Sequence, residues 1–389
     1  MVQNENVTDE PTPLTPRRKS RPLHVGDVQV GGDAPVVVQT MTNTDTADAN
    51  ATIEQIARLA DAGAEIVRIA VPDKAAAAAV PEIVKRTPVP LIADIHFDHK
   101  LALASIEGGI HGLRLNPGNI RVPEKVREVV KAAKERGISI RIGVNEGSLP
   151  PIAALQDGEL PPPKTQRMVD AALWEIGILE EMGFEDIKLS LKAFDVPTMV
   201  TAYREIASRV PYPLHLGVTE SGTPGAGTVR SSIGIGILLA EGIGDTIRVS
   251  LAADPEEELP VCWDILKSLN LRFRGATIVA CPTCGRIEVD LIPLANEIEA
   301  RFQAIGKPIT VAVMGCVVNG PGEARMADLG IAGGKGRGVI FRKGEIVKTV
   351  DEPDFMSALI EEGEKIIAEM DAGTYTPVNE TLIPLMEVK

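Results

Sequence analysis

The chain has 389 residues, enough for a large α/β domain and a smaller companion. A formal net charge of −14 and only 3% aromatic residues argue against a general nucleic-acid or anionic-membrane binder. An anionic small ligand in a local basic pocket stays compatible, and the 44% hydrophobic content supplies an aliphatic core.

The opening stretch, "MVQNENVTDEPTPLTPRRKSRP", is polar and proline-rich, and residues 1–20 read as a disordered tail. It holds no apolar signal core, and Arg17 and Arg18 precede no apolar run. No stretch of about 18 apolar residues occurs anywhere, so no membrane association is expected. The expected compartment is the cytoplasm, where clustered cysteines read as metal-binding or catalytic rather than as disulfides.

From Val36 onward, short apolar runs alternate with helical patterns. The runs are "VVVQTMTN", "EIVRIAVP" from Glu65, "PLIADIHF" from Pro90 and "HGLRLNPG" from His111. "SIRIGVN" from Ser139, "DIKLSLKA" from Asp186, "PLHLGVTE" from Pro213 and "DTIRVSLA" from Asp245 complete the set. Several intervening helices end on glycine, at Gly63, Gly109, Gly137, Gly183 and Gly244, which suits the left-handed stop of a helix. Strand–helix units of this number and spacing predict a (β/α)8 TIM barrel over residues 21–270, with a doubly wound open sheet as the alternative.

The strands carry an unusual interior. In "IVRIA", "GLRLN", "SIRIGVN", "IKLSLK" and "TIRVS", basic residues alternate with aliphatic ones. With the aliphatic faces under the helices, Arg68, Arg114, Arg141, Lys188, Lys192 and Arg248 point into the barrel. Asn116, Asn145, Ser190 and Ser250 follow two residues later on the same faces, and Asp94 and His96 are related in the same way. A purely structural barrel fills its interior with Val, Ile and Leu. Internal ion pairs with Asp94 and Glu220 would compensate some of the six cations but are too few for all, so the pattern points to a phosphorylated ligand. The loop after the seventh strand, "TESGTPGAGTVRSS", is rich in glycine and hydroxyls and leads into a helix. Thr219, Thr228, Arg230 and Ser231 are therefore candidate phosphate contacts. The loop after the fifth strand, "EGSLPPIAALQDGELPPPK", reads as a lid.

The last barrel helix, "PEEELPVCWDILKSLN", carries Cys262 between Val261 and Trp263, where a small core residue is expected. A joint at 271–275 leads into a second α/β module spanning 271–389. Its strands are expected at "ATIVAC", "ITVAVMGC" and "GVIFRKGEIVKTV", its helices at "IPLANEIEARFQAI" and "DFMSALIEEGEKIIAEMDAG", and a turn at "GGKGRG". Cys281 and Cys284 in "CPTCGR" and Cys316 in "GCVVNGPGEA" each follow a strand end. A thiol–disulfide pair would leave Cys316 idle. A structural zinc site lacks a fourth nitrogen or sulfur ligand, because all five histidines lie in the barrel portion. Three unrelated core cysteines are the bland reading. An iron–sulfur cluster uses cysteine thiolates, and Glu323 is placed to serve as a fourth, more exchangeable ligand or as a solvated loop carboxylate.

Together "VQTMTNTDT", "ADIHFD", "RLNPGNI", "RIGVNEGSL", "PLHLGVTE", "EGIGDTIRVSLAADP", "CPTCGR" and "GCVVNGPGEA" resemble the 4-hydroxy-3-methylbut-2-enyl diphosphate synthase family, in its bacterial two-domain form. The likeness runs from about residue 20 to about residue 370 and rests on the order and number of motifs. It implies a 4Fe–4S cluster on Cys281, Cys284, Cys316 and Glu323. It also implies reductive ring opening of 2-C-methyl-D-erythritol 2,4-cyclodiphosphate in non-mevalonate isoprene biosynthesis, with a flavodoxin or ferredoxin as electron donor. For that chemistry Glu220 is the first acid–base candidate, followed by Asp94 and His96. Two other functions fit the residues alone: a phosphate-binding barrel transferase with a structural zinc module, and a non-enzymatic iron–sulfur metabolite sensor.

Barrel sites lie at the C-terminal ends of the strands, whereas the last helix runs back to the opposite face. The joint 271–275 spans about 17 Å at most, at about 3.5 Å per residue. The second module is therefore expected to cap the barrel of another copy, in a head-to-tail homodimer with composite sites; the family resemblance implies the same.

Overall fold

The computed structural model describes residues 15–149, 161–316 and 327–378. They form two compact units that divide between Leu269 and Asn270.

The first unit is a parallel barrel. Its strands are β3 (Val37–Met41), β4 (Ile66–Ala70), β5 (Leu91–Asp94), β6 (Gly112–Leu115), β7 (Ser139–Asn145), β8 (Ile187–Lys192), β9 (His215–Leu216) and β10 (Thr246–Ile247). Each falls within one of the eight apolar runs. The hydrogen-bonded order is β8-β7-β6-β5-β4-β3-β10-β9. A single parallel bridge between Leu189 and Leu214 closes the circle from β8 to β9, with Leu189 N donating to Pro213 O at 2.9 Å. The helices are α1 (Ala49–Asp61), α2 (Lys74–Arg86), α3 (His99–Glu107), α4 (Pro123–Arg136), α5 (Lys164–Glu181), α6 (Val196–Arg209), α7 (Pro224–Ala240) and α8 (Glu258–Ser268). Asp48, Asp73, Asp98 and Asp195 cap the starts of α1, α2, α3 and α6 by accepting a backbone N–H, which satisfies donors with no partner inside the helix. All five predicted glycine stops have positive φ.

The sequence reading missed the floor. Strands β1 (Leu23–Val25) and β2 (Val28–Val30) form an antiparallel hairpin. Leu23, Val25 and Val30 pack against Val37, Ile66 and Ile92, so an aliphatic plug seals the lower barrel. The tail expectation is corrected for residues 15–20. Arg17 Nη2 lies 3.0 Å from Asp245 Oδ1, Ser20 Oγ donates to the same oxygen at 2.7 Å, and Arg18 Nη1 donates to Val210 O at 2.8 Å. Asp245 is buried and also accepts Leu214 N at 2.8 Å. A buried carboxylate needs such partners, and the basic tail supplies them. Cys262 is the core residue expected; burial pushes its thiol up to about 12.

The second unit is a five-stranded mixed sheet in the order β11-β12-β13-β14-β15. β11 (Thr277–Ala280), β12 (Thr310–Met314) and β13 (Leu329–Gly334) run parallel; β14 (Arg337–Arg342) and β15 (Glu345–Asp351) return antiparallel. Helices α9 (Leu291–Ile305) and α10 (Phe355–Asp371) contribute Ile298, Phe302, Phe355, Leu359 and Ile366 to its core. Two readings change. The glycine-rich "LGIAGG" is a strand not foreseen, with the expected turn narrowed to Lys335–Gly336. "GVIFRKGEIVKTV" is two strands, because Lys343 and Gly344 both take positive φ and reverse the chain.

Candidate functional site

Strand register places the polar side chains inside the barrel. Arg114 on β6, Arg141 on β7 and Lys188 on β8 are register partners. Arg68, Asp94, Arg114, Arg141, Lys188, Ser190 and Lys192 are all buried. Asp94 links two of the cations. Its Oδ1 accepts Arg114 Nη1 at 3.0 Å and its Oδ2 lies 3.4 Å from Arg68 Nε. Burial pushes the Asp94 carboxyl up, but Arg68, Arg114, Arg141 and His96 outweigh it and hold it well below the usual carboxylate range. His96 Nε2 lies 3.7 Å from Asp94 Oδ2, with its ring half exposed. Burial, opposed by Asp94, lowers Arg68 to about 10; the same cause, reinforced by Arg68 and Arg114, lowers Arg141 well below its ordinary value.

A second carboxylate, Glu258 at the start of α8, was not foreseen. It is buried and takes four donors: Arg248 Nε at 3.1 Å, Arg248 Nη2 at 3.2 Å, Thr40 Oγ1 at 3.0 Å and Leu251 N at 3.1 Å. In the sequence it stands in a run of acids that reads as a solvated first turn. Met41 was also missed; its sulfur lies 3.0 Å from Arg68 Nη2 and 3.7 Å from Arg248 Nη1. Two interior glycines make room for cations. A Cβ at Gly143 would sit 2.4 Å from Arg114 Nε, and one at Gly217 would sit 2.5 Å from Lys192 Nζ. The "RIGVN" and "HLGVT" runs carry that signal as glycine at an inward position.

Arg141, Lys188 and Lys192 form no ion pair among the described residues. Arg141 donates from Nη1 to Ser190 Oγ at 2.7 Å, while its Nε and Nη2 find no partner there. Lys188 Nζ is likewise unpartnered. Burial first, and then Arg248, Arg141 and Arg68, lower Lys192 well below the ordinary lysine value.

The rim is less uniform. Asn116 donates to Ser148 Oγ at 2.9 Å and its Oδ1 accepts Gly118 N at 2.9 Å, tying the loop after β6 to the loop after β7. Asn145 stands half-buried at the end of β7, and Ser250 half-buried in the segment beyond β10. Thr219 is half-buried, and Glu220 is exposed with a left-handed φ of 53°, a conformation an L-residue adopts at a cost of roughly 1 kcal/mol or more. Helix α7 begins at Pro224, so Thr228, Arg230 and Ser231 stand past its first turn and not at the free N–H groups of its start. Arg230 donates to Ser221 O and stacks 4.4 Å over the Phe194 ring; Ser231 is buried. Of the lid, residues 150–160 lie outside the described residues.

In the second unit, the three cysteines sit on the C-terminal edge of adjacent parallel strands. Cys281 leaves β11 and donates its N–H to Val313 O at 3.2 Å; its sulfur accepts Gly315 N at 3.2 Å, next to Cys316 beyond β12. Cys281 and Cys316 are half-buried and Cys284 is exposed. The backbone N–H and guanidinium of Arg286 hold the Cys284 thiol below its ordinary value. Glu323 lies outside the described residues, and among those described no three Cys, His, Asp or Glu side chains converge on a metal position. The donor chemistry, with three free thiols at one sheet edge, suits a thiolate-ligated cluster.

Residues 20–263 match the domain described as "GcpE TIM-barrel domain" and residues 277–365 match "GcpE protein C-terminal domain". This chain belongs to the GcpE family. It is 59% identical to a Geobacter sulfurreducens protein named "4-hydroxy-3-methylbut-2-en-1-yl diphosphate synthase (flavodoxin)", over 91% of this chain and 99% of that one. A Dehalococcoides mccartyi protein of the same name is 56% identical over 89% of this chain and 98% of its own. An Acidothermus cellulolyticus protein of that name is 54% identical over 93% and 92%.

Proposed function

We infer that the chain is an oxidoreductase that converts 2-C-methyl-D-erythritol 2,4-cyclodiphosphate to 4-hydroxy-3-methylbut-2-enyl diphosphate by two-electron reductive ring opening with loss of water. The carrying observation is a GcpE-family barrel whose buried cations exceed the carboxylates paired with them. A diphosphate supplies the missing negative charge. Arg141, Lys188 and Lys192 bind it; Arg68 and Arg114, braced by Asp94, and Arg248, braced by Glu258, orient it. Because its neighbours keep Asp94 ionised, it acts as an anchor of arginines rather than as a proton donor. Glu220, at its strained position beyond β9, and His96 are the groups for proton transfer.

A 4Fe–4S cluster would be held by Cys281, Cys284, Cys316 and Glu323, and when bound it supplies single electrons and a Lewis-acidic iron. Flavodoxin, carried in the relatives' names, is the electron donor proposed here, with a ferredoxin as the alternative. No described helix is long and apolar enough to cross a membrane; the site of action proposed here is the cytoplasm. The second unit of one copy is proposed to complete the barrel of another in a head-to-tail homodimer.

The test is anaerobic turnover of the cyclic diphosphate with a chemical reductant, alongside metal and sulfide analysis. Product with about four irons and four sulfides per chain is expected. Zinc without sulfide, or an iron–sulfur protein that binds the cyclic diphosphate without reducing it, would overturn the reading. Mixing a barrel variant with a cysteine variant should restore activity in mixed dimers if the sites are composite.

A further inference from the structure

The middle of the barrel holds cationic donors without a paired anion. Lys188 Nζ and Arg141 Nε and Nη2 are buried and find no partner among the described residues; the same holds for both side-chain polar atoms of Gln39 and for His215 Nε2, whose role depends on the tautomer. Arg141 and Lys188 are register partners on β7 and β8. His215 stands on β9 with its Nδ1 2.7 Å from Thr246 Oγ1, and the aliphatic floor closes the space below. An ammonium buried beside a guanidinium with no anion is relieved by losing its proton. Burial, followed by the charge of Arg141, lowers Lys188 to about 7 despite the opposing pull of Asp245.

Resting on the reading that this barrel binds a phosphorylated ligand, we propose that Lys188 is an anion-gated cation, which takes up a proton when a dianionic oxyanion enters the middle layer beside Arg141. The ligand class is the terminal phosphoryl group of a diphosphate, phosphate or sulfate. The proton comes from solvent and no ligand bond changes. The charged and titratable groups around Lys188 are Arg141 on β7, Arg114 on β6, Asp94 on β5, Arg68 on β4, His215 on β9, Arg248 just past β10, Asp245 in the turn before β10 and Lys192 along β8, with Glu258 on α8, Tyr203 on α6 and Glu175 on α5 behind the strands. Arginines keep their charge at neutral pH. Burial, then Lys192 and Arg141, keep His215 neutral. Lys192 is the rival for the proton, but it lies nearer the mouth.

Sulfate tests this, because it stays dianionic across the neutral range. Sulfate binding to the full-length anaerobic protein is measured calorimetrically at about pH 6.5, 7.5 and 8.5, in buffers of differing ionisation enthalpy. The wild type should lose affinity by up to about tenfold per pH unit above neutrality, with uptake of about one proton. Lys188→Arg should bind without that slope, Lys188→Met weakly and without it, and Lys192→Met more weakly than the wild type but with the wild-type slope. An unchanged slope in Lys188→Arg or Lys188→Met, or its loss in Lys192→Met, overturns the proposal. Sulfate binding by the wild type with no pH dependence does so too. Absence of sulfate binding by the wild type at every pH instead overturns the anion-cup reading beneath it. Thermal unfolding verifies each fold; should Lys188→Met not fold, Lys188→Arg decides alone.

Discussion

The two units place their functional groups in opposite ways. The barrel holds most of its cations buried on strands and braces Arg68, Arg114 and Arg248 with Asp94 and Glu258 before any ligand arrives. The second unit puts its thiols on strand-following loops, with Cys284 exposed and the sheet core elsewhere. Strand register holds a side chain to within a fraction of an ångström, which suits recognition of a fixed charge pattern. Loop-borne thiols gain their geometry from the metal they bind, so binding and local ordering are one event. The barrel is thus a preorganised site with internal strain, and the second unit is a site its cofactor completes.

The sharpest way to break this contrast is at the thiols. Cys284→Ser should reduce turnover to background and remove the broad absorbance near about 400 nm, while sulfate binding in the barrel persists. Retained turnover would show that Cys284 is not a ligand. In the barrel, the bracing carboxylate matters most. Asp94→Asn leaves Arg68 and Arg114 buried without their counter-charge and should lower unfolding free energy by about 3–5 kcal/mol in denaturant titrations. The folded-state value of Asp94 is depressed, so its stabilisation is present above the unfolded carboxylate value of about 4 and is lost as pH falls through the lower folded value. The variant should therefore lose part of the wild type's acid sensitivity.

Glu175 gives an effect of opposite sign. It lies buried on α5, which packs on β7 and β8, and burial raises it to about 8 despite Arg114. Stability falls as pH rises from the unfolded value of about 4 and levels off above the folded value. Glu175→Gln should stabilise the barrel by roughly 2–3 kcal/mol at pH 8 and much less at pH 5, read from denaturant midpoints across pH. A gain independent of pH would mean that the carboxyl is not neutral in the fold. The smallest effect belongs to the floor strap. Arg17→Ala removes one half-buried partner of Asp245 and should cost about 1 kcal/mol, with turnover unchanged.

The barrel was legible because alternation on a strand reports which face is which. Arg68, Arg114, Arg141, Lys188 and Lys192 could be placed inside from spacing alone, and all are buried. What spacing could not report was who answers them. Glu258 reaches Arg248 from a helix start, and Asp245 holds Arg17 across 228 residues, so neither pairing leaves a local trace. The hairpin at Leu23–Val30 escaped because its strands are three residues each, shorter than any window in which alternation can be counted. Strand β13 escaped because its glycines mimic a loop, although Gly330 is required where the Phe341 ring crosses it. The glycine-rich stretch before α7 signals a turn but not which residue starts the helix, here Pro224.

The strap that ties Arg17, Arg18 and Ser20 to Asp245 also sets a schedule for synthesis. The segment bearing Arg17, Arg18 and Ser20 leaves the ribosome well before residue 245 and must wait, unpartnered, until that residue follows. The underside of the barrel is therefore among the last parts to close, and a chain halted before that point would expose Arg17 and Arg18 to whatever anionic surface lies nearby.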